Sequence, residues 1–327
     1  MADQRTLAIV ATAAALTLAA PGLRAAPPPA GVLLAMQPRP VLRPFDALDV
    51  SGRAAFPRSV YEAARLQTAF DIFDIRYSSS GAGGSTVPGV LIRPKSSGGR
   101  RWPAIVYNRG GTGDSGRIDD PAVAEMYLLA KAGFVVIASD YRFHGALSKR
   151  DEWGGLDVED VMSLFPLLRA DPGVDANRLF MVGASRGGTM AYLALKHGAP
   201  VKAVAVIAAP TDLEALGKYR PELVNGDDGY DGWARVWPDY AHRSAEQYRE
   251  RSPIYWAERI TVPVLMLHAK EDTLVPVDQA LTMAAALEVA GRRYHVQLYL
   301  NDGHLLPRHR DERNKLIVEW FTSGGVR

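Results

Sequence analysis

From about residue 104 to residue 321 the chain alternates short, β-branched, almost wholly apolar runs with longer helical ones. The apolar runs fall at 104–107, 134–139, 179–182, 201–208, 262–268 and 295–300. Helical runs follow at 122–131, 158–168, 188–197, 278–289 and 314–321. A strand that is apolar along its whole length has both of its faces covered, the signature of a parallel sheet. Strand–helix alternation therefore predicts an α/β architecture, a mostly parallel central sheet with helices on both faces. Within 158–168, Val158, Val161, Met162, Phe165 and Leu168 share one helical face, and Pro166 is expected to kink or shorten the run. In such a sheet ligands bind at the carboxyl ends of the strands, so residues carrying chemistry should gather there.

Three segments stand outside this rhythm. Residues 70–77 and 87–92 read as two strands joined by a Ser/Gly-rich loop. Before them, residues 26–68 form a Pro-rich arm with a short helix, leaving 69–327 as one domain. Residues 211–260, between two strands, are polar, aromatic and poorly periodic. An insertion of that length is usually a lid or binding loop, and Trp233, Trp237 and Tyr240 are expected to contact substrate.

At the N-terminus, Arg5 precedes an uncharged Ala/Leu-rich run over 7–20. That run is shorter than the roughly 20 residues a spanning helix needs. Leu23-Arg24-Ala25 offers a cleavage site, so residues 1–25 are expected to be an export signal and the protein secreted or periplasmic.

Composition removes several classes. The net charge is +2 and the basic residues are scattered, which excludes a nucleic-acid or anionic-membrane partner. The absence of cysteine excludes disulfides, thiolate metal sites and cysteine nucleophiles. Asp227-Asp228-Gly229-Tyr230-Asp231-Gly232 hints at a calcium loop, but its third position is Gly229 and its twelfth Pro238, where a bidentate Glu is needed. No metal or cofactor is expected.

Gly183-Ala184-Ser185-Arg186-Gly187 follows an apolar strand and opens a helix. That is the context of a nucleophile elbow, where a strained turn lifts a serine hydroxyl above the sheet. A serine hydroxyl needs an adjacent base at neutral pH. Of seven histidines, only His304, in Asn301-Asp302-Gly303-His304, lies past the last strand at its carboxyl end. For the acid that orients it, Asp272 follows the run 262–268, with Glu271 beside it and Asp212 one strand earlier as alternatives. The oxyanion hole is expected to use the backbone N–H of Arg186 and a second donor from Asn108-Arg109-Gly110-Gly111, either Arg109 or Gly110.

With these motifs in place, residues from about 70 to 323 resemble the catalytic domain of the prolyl oligopeptidase family of serine peptidases, in the α/β-hydrolase superfamily. The matching pieces are Tyr107-Asn108-Arg109-Gly110-Gly111, Asp140-Tyr141-Arg142-Phe143-His144-Gly145, Gly183-Ala184-Ser185-Arg186-Gly187-Gly188, His268-Ala269-Lys270-Glu271-Asp272-Thr273-Leu274-Val275-Pro276 and Asp302-Gly303-His304. The resemblance implies a Ser185–Asp272–His304 triad acting through an acyl-enzyme on amide or ester bonds. Members often carry a large N-terminal β-propeller, which is not expected in the residues given ahead of the domain. Proline-cutting members usually have tyrosine after the serine, where Arg186 stands here, and a tryptophan and tyrosines in the loop after the next strand, where Pro210-Thr211-Asp212-Leu213-Glu214-Ala215-Leu216 has only aliphatic residues for its apolar positions. The expected partner is a short-peptide or small-molecule substrate. A peptidase leads, a carboxylesterase on the same triad follows, and a non-catalytic binding protein on a hydrolase scaffold is the remote third.

Overall fold

A computed structural model describes residues 29–81, 84–95 and 98–325. The expected export signal, residues 1–25, lies outside the described residues. Among the described residues nine strands form one sheet: β1 (Leu33–Pro38), β2 (Phe70–Ser79), β3 (Ser85–Pro94), β4 (Trp102–Asn108), β5 (Val135–Ser139), β6 (Val174–Ala184), β7 (Val204–Ile207), β8 (Val264–Ala269) and β9 (Tyr294–Tyr299). Their spatial order is β1-β2-β3-β5-β4-β6-β7-β8-β9. The pairs β1–β2, β2–β3 and β3–β5 are antiparallel, and every pair from β5 to β9 is parallel. This is the α/β-hydrolase fold, with β5, β7 and β8 buried on both sides as their apolar runs demand, while the edge strand β9 is half-buried.

Among the described residues twelve α-helices accompany the sheet: α1 (Val50–Ala55), α2 (Arg58–Arg65), α3 (Asp120–Lys131), α4 (Asp157–Met162), α5 (Leu164–Ala170), α6 (Arg186–Lys196), α7 (Leu213–Tyr219), α8 (Pro221–Asn225), α9 (Trp233–Val236), α10 (Tyr240–Arg251), α11 (Asp278–Val289) and α12 (Arg310–Thr322). The core divides by sheet face. One layer joins the arm, α3 and α12 to the strand residues Ile105, Val136 and Leu265. The other joins α4, α5, α6 and α11 to Ala104, Val106 and Met266. Adjacent residues of β4 thus serve opposite layers, as strand geometry requires.

Two departures from the sequence reading have local causes. The single helix expected over 158–168 is two, broken at Ser163, because Pro166 lacks the amide to continue the ladder and falls in the first turn of α5. The arm contains β1, an edge strand with mostly exposed side chains. Its pairing with β2 rests on backbone hydrogen bonds rather than on an apolar pattern, and it stops at Pro38.

Candidate active site

Ser185 sits between β6 and α6 with φ 54° and ψ −129°. A non-glycine residue in that region stores strain of roughly 1–3 kcal/mol. Close packing on both sides holds the turn. A Cβ at Gly183 would lie 2.3 Å from the Gly187 carbonyl oxygen, and one at Gly187 would lie 2.0 Å from that of Asn108. The Ser185 N–H donates to the Ile207 carbonyl at 2.8 Å, tying the turn to β7.

The loop after β8 is organised around one carboxylate. Asp272 Oδ1 accepts from the N–H groups of Leu274 and Val275 at 2.9 and 3.0 Å, and Oδ2 accepts from His304 Nδ1 at 2.8 Å. Burial alone would raise the Asp272 pKa, but the hydrogen bond and charge of His304, with the two amides, outweigh it and hold it below the usual value. Below it His268 Nε2 donates to the Val275 carbonyl at 2.8 Å, closing the same loop. Burial pushes the His268 pKa down, which favours the neutral ring.

His304 projects from the loop after β9, and a second carboxylate shapes that loop. Asp302 accepts from the amides of Gly303 and His309 at 2.9 and 3.0 Å and from His309 Nδ1 at 2.8 Å. Leu305 and Leu306 take left-handed conformations there, φ 67° and 59°. The backbone thus makes its tight reversal just past His304.

Ser185 and His304 line one cavity of about 1120 Å³, together with Arg109, Gly110 and Gly111. Asp272 and His304 are in direct contact, whereas no hydrogen bond joins serine to histidine among the described residues. Such bonds often tighten only with substrate in place. Gly110 runs alongside the serine, since a Cβ on it would lie 3.1 Å from Ser185 Cβ. The Arg109 guanidinium is buried beneath the loop, donating to the carbonyls of Gly110 at 3.0 Å and of Gly113 and Asp140 at 2.9 Å each. Arg186 opens α6, so its backbone N–H lies in the first helical turn, where amides lack intrahelical partners. Among the described residues no cluster of three or more His, Asp or Glu is arranged to hold a metal.

The side chain of Arg186 does something the sequence reading did not foresee. It is fully buried and outside the cavity lining. Its two terminal nitrogens reach Asp151 Oδ2 and Oδ1 at 2.5 Å each, and it also meets Asp157 and the Gly111 carbonyl. Burial alone would lower its pKa, but Asp151 and Asp157 raise it above the ordinary guanidinium value. Asp151 Oδ2 accepts from the Gly113 N–H at 2.7 Å, and the Asp151 carbonyl accepts from the Tyr230 hydroxyl at 2.8 Å. One ionic knot therefore joins α6, the glycine loop and the 211–260 insertion. An arginine after the serine is itself the signal, because a cation at that packed position requires buried carboxylates.

The insertion residues need correction. Trp233, Trp237 and Tyr240 do not line the cavity. Trp233 and Trp237, one helical turn apart, stack at 4.9 Å with an 8° interplanar angle, and Tyr248 packs edge-on against both. Trp237 Nε1 donates to the Glu152 carbonyl at 2.7 Å, and Tyr240 shares a hydroxyl hydrogen bond with Tyr248. Their large apolar surfaces are consumed in a small core that the insertion shares with Trp153. The cavity is instead lined by Arg220, Glu222, Leu223, Asp227, Gly229 and Tyr230 of the insertion, with Trp153 beside them. Tyr230 belongs to the same insertion, but it is not among the three aromatic residues expected to contact substrate.

Residues 122–323 match the profile of the prolyl oligopeptidase family, Peptidase_S9. Uncharacterized peptidase YtmA of Bacillus subtilis (strain 168) is 26% identical over 252 residues, covering 77% of this chain and 91% of that protein. Dipeptidyl-peptidase 5 of Porphyromonas gingivalis is 25% identical over 240 residues, covering 70% of this chain and 34% of that enzyme. A solved acylaminoacyl peptidase in complex with Z-Gly-Gly-Phe-chloromethyl ketone superposes with a TM-score of 0.62 at 25% identity, covering 78% of this chain and 42% of that one. The match thus takes in most of YtmA but less than half of the two enzymes whose activities are named.

Proposed function

We propose that this chain, which belongs to the prolyl oligopeptidase family of serine peptidases, cleaves amide bonds of short peptides or related acyl compounds through an acyl-enzyme on Ser185. His304 removes the serine proton and returns it to the leaving group. Asp272 holds the His304 ring with Nδ1 protonated, which leaves Nε2 as the base. The backbone N–H of Arg186 and one from Arg109 or Gly110 stabilise the tetrahedral oxyanion. The observation that carries this reading is the 2.8 Å contact between His304 Nδ1 and Asp272 Oδ2, at the rim of a cavity that also holds the strained Ser185.

A fluorophosphonate probe should label the wild-type protein and spare Ser185→Ala. Values of kcat/KM on matched aminoacyl amides and esters then separate a peptidase from a carboxylesterase. Measurable amide turnover supports the former, and ester turnover alone replaces it with the latter. Labelling that persists in Ser185→Ala would remove this serine as nucleophile. We also propose that residues 1–25 direct export to the periplasm or medium. A mature N-terminus near residue 26 in the exported fraction supports that, and an intact N-terminus confined to the cytoplasm overturns it.

A further inference from the structure

The cavity has a second wall, opposite in character to the insertion, built where α3, α12 and the arm meet. Glu125 of α3 accepts from Arg310 Nε at 3.0 Å, from Arg313 Nη2 and from Asn314 Nδ2 at 3.2 Å. All three charged groups line the cavity that holds Ser185 and His304. Both arginines are more than nine-tenths buried. Their remaining contacts are neutral: Arg310 donates to the Ala55 carbonyl and lies over the Phe56 ring, and Arg313 donates to the Leu305 carbonyl and to Asn314 Oδ1.

Charge counting distinguishes this cluster from two other buried arginines. Arg186 meets two carboxylates, Asp151 and Asp157, and the buried Arg142 is matched by Asp160. Arg310 and Arg313 share a single carboxylate among the described residues, so their cluster carries a net positive charge. Arg310 Nη1 and the hydroxyl of Tyr107, which lines the same cavity, have no hydrogen-bond partner among the described residues. A buried cation without full compensation is costly, and a carboxylate supplies both the charge and acceptors for charge-assisted hydrogen bonds.

We propose that this wall is a carboxylate-binding compartment of the substrate site, and that the preferred substrate carries a carboxylate held by Arg310 with Tyr107 beside it. The proposal rests on the hydrolase reading above and names its substrate class. The carboxylate has two sources in a peptide, an acidic side chain or a free C-terminus.

Two matched pairs distinguish them: peptides with Glu or Gln next to the cleaved bond, and peptides ending in a free carboxylate or its amide. In the wild type, kcat/KM should favour the carboxylate member of at least one pair by roughly tenfold or more, the worth of a charged hydrogen bond. Arg310→Gln should bring that ratio close to one. Glu125→Gln, which removes the competing internal carboxylate, should raise it. Ratios near or below one in both wild-type pairs, with neutral substrates turned over, overturn the compartment and leave the hydrolase reading intact. A preference that survives Arg310→Gln also overturns it. If no member is hydrolysed and Ser185 fails to react with the fluorophosphonate, the hydrolase reading falls and the compartment with it.

Discussion

The loop after β8 and the insertion after β7 leave the sheet at neighbouring strand ends, yet they are held by opposite means. The first is a few residues long, and directional polar bonds converge on one carboxylate, Asp272. The second spans residues 211–260 and is held chiefly by aromatic packing around Trp233, Trp237 and Tyr248. The polar loop fixes one atom, whereas the packed insertion encloses a volume. A fixed atom demands a particular residue type, while an enclosed volume accepts many arrangements of large side chains. The two regions should therefore fail differently when cut.

The largest effect should come from the polar side. Ser185→Ala and His304→Ala should each lower kcat by about 10⁴-fold or more, with the double variant losing little beyond either, since residues sharing one step are not additive. Asp272→Asn should fold and lose about 10⁴-fold through the wrong histidine tautomer. Melting temperature and single-turnover kinetics on each variant check both statements. A large loss in Glu271→Gln with a near wild-type Asp272→Asn would move the acid by one residue.

The knot between the two regions comes next. Arg186→Met leaves Asp151 and Asp157 buried without their cation, a change that typically costs 3–5 kcal/mol. Urea unfolding should show that loss, with kcat falling as the Gly111 carbonyl loses its donor. Trp233→Ala should cost a comparable 3–5 kcal/mol by emptying the insertion's core, but it should leave the kcat/KM ratio between bulky and small substrates unchanged. Tyr230→Ala, at a cavity-lining residue, should move that ratio. A shifted ratio in Trp233→Ala with stability intact would return the tryptophan to the site.

This contrast also explains what was legible in the sequence. The parallel sheet was readable because strands buried on both faces must be almost wholly apolar, and β5, β7 and β8 are, with Ser139 and His268 the only polar residues in them. The elbow and the residues after β8 and β9 could be singled out because each needs one side chain at one strand end. Strand β1 was not, since an edge strand held by its backbone leaves little apolar pattern. The aromatic content of the insertion announced packing, but no periodicity distinguished Tyr230, buried yet lining the cavity, from Trp233, three residues on and outside it. The partners of Arg186 lie 35 and 29 residues away in sequence, and no local signal joins them to it.

The smallest effect separates the regions by acid titration. Asp272, in the polar loop, has a folded pKa held below its ordinary 3.8. Its contribution to stability is present above pH 3.8 and is lost as pH falls through the lower folded value. Glu152, whose carbonyl anchors Trp237 beneath the insertion, has its pKa raised above 4.5, by burial first, with Asp157 adding and the Leu156 amide opposing. Its sign is opposite: the folded state favours the protonated acid, so its contribution is full below pH 4.5 and declines as pH rises through the higher folded value. Thermal melts from pH 3 to 7 should therefore show the wild type losing its advantage over Asp272→Asn only at the acid end. Against Glu152→Gln, which mimics the protonated acid, the wild type should lose ground only as pH climbs above 4.5. Parallel curves for both variants would mean that neither carboxylate differs between the folded and unfolded chain. A crossing in the reverse order would mean that the polar loop, not the insertion's anchor, suffers from burial.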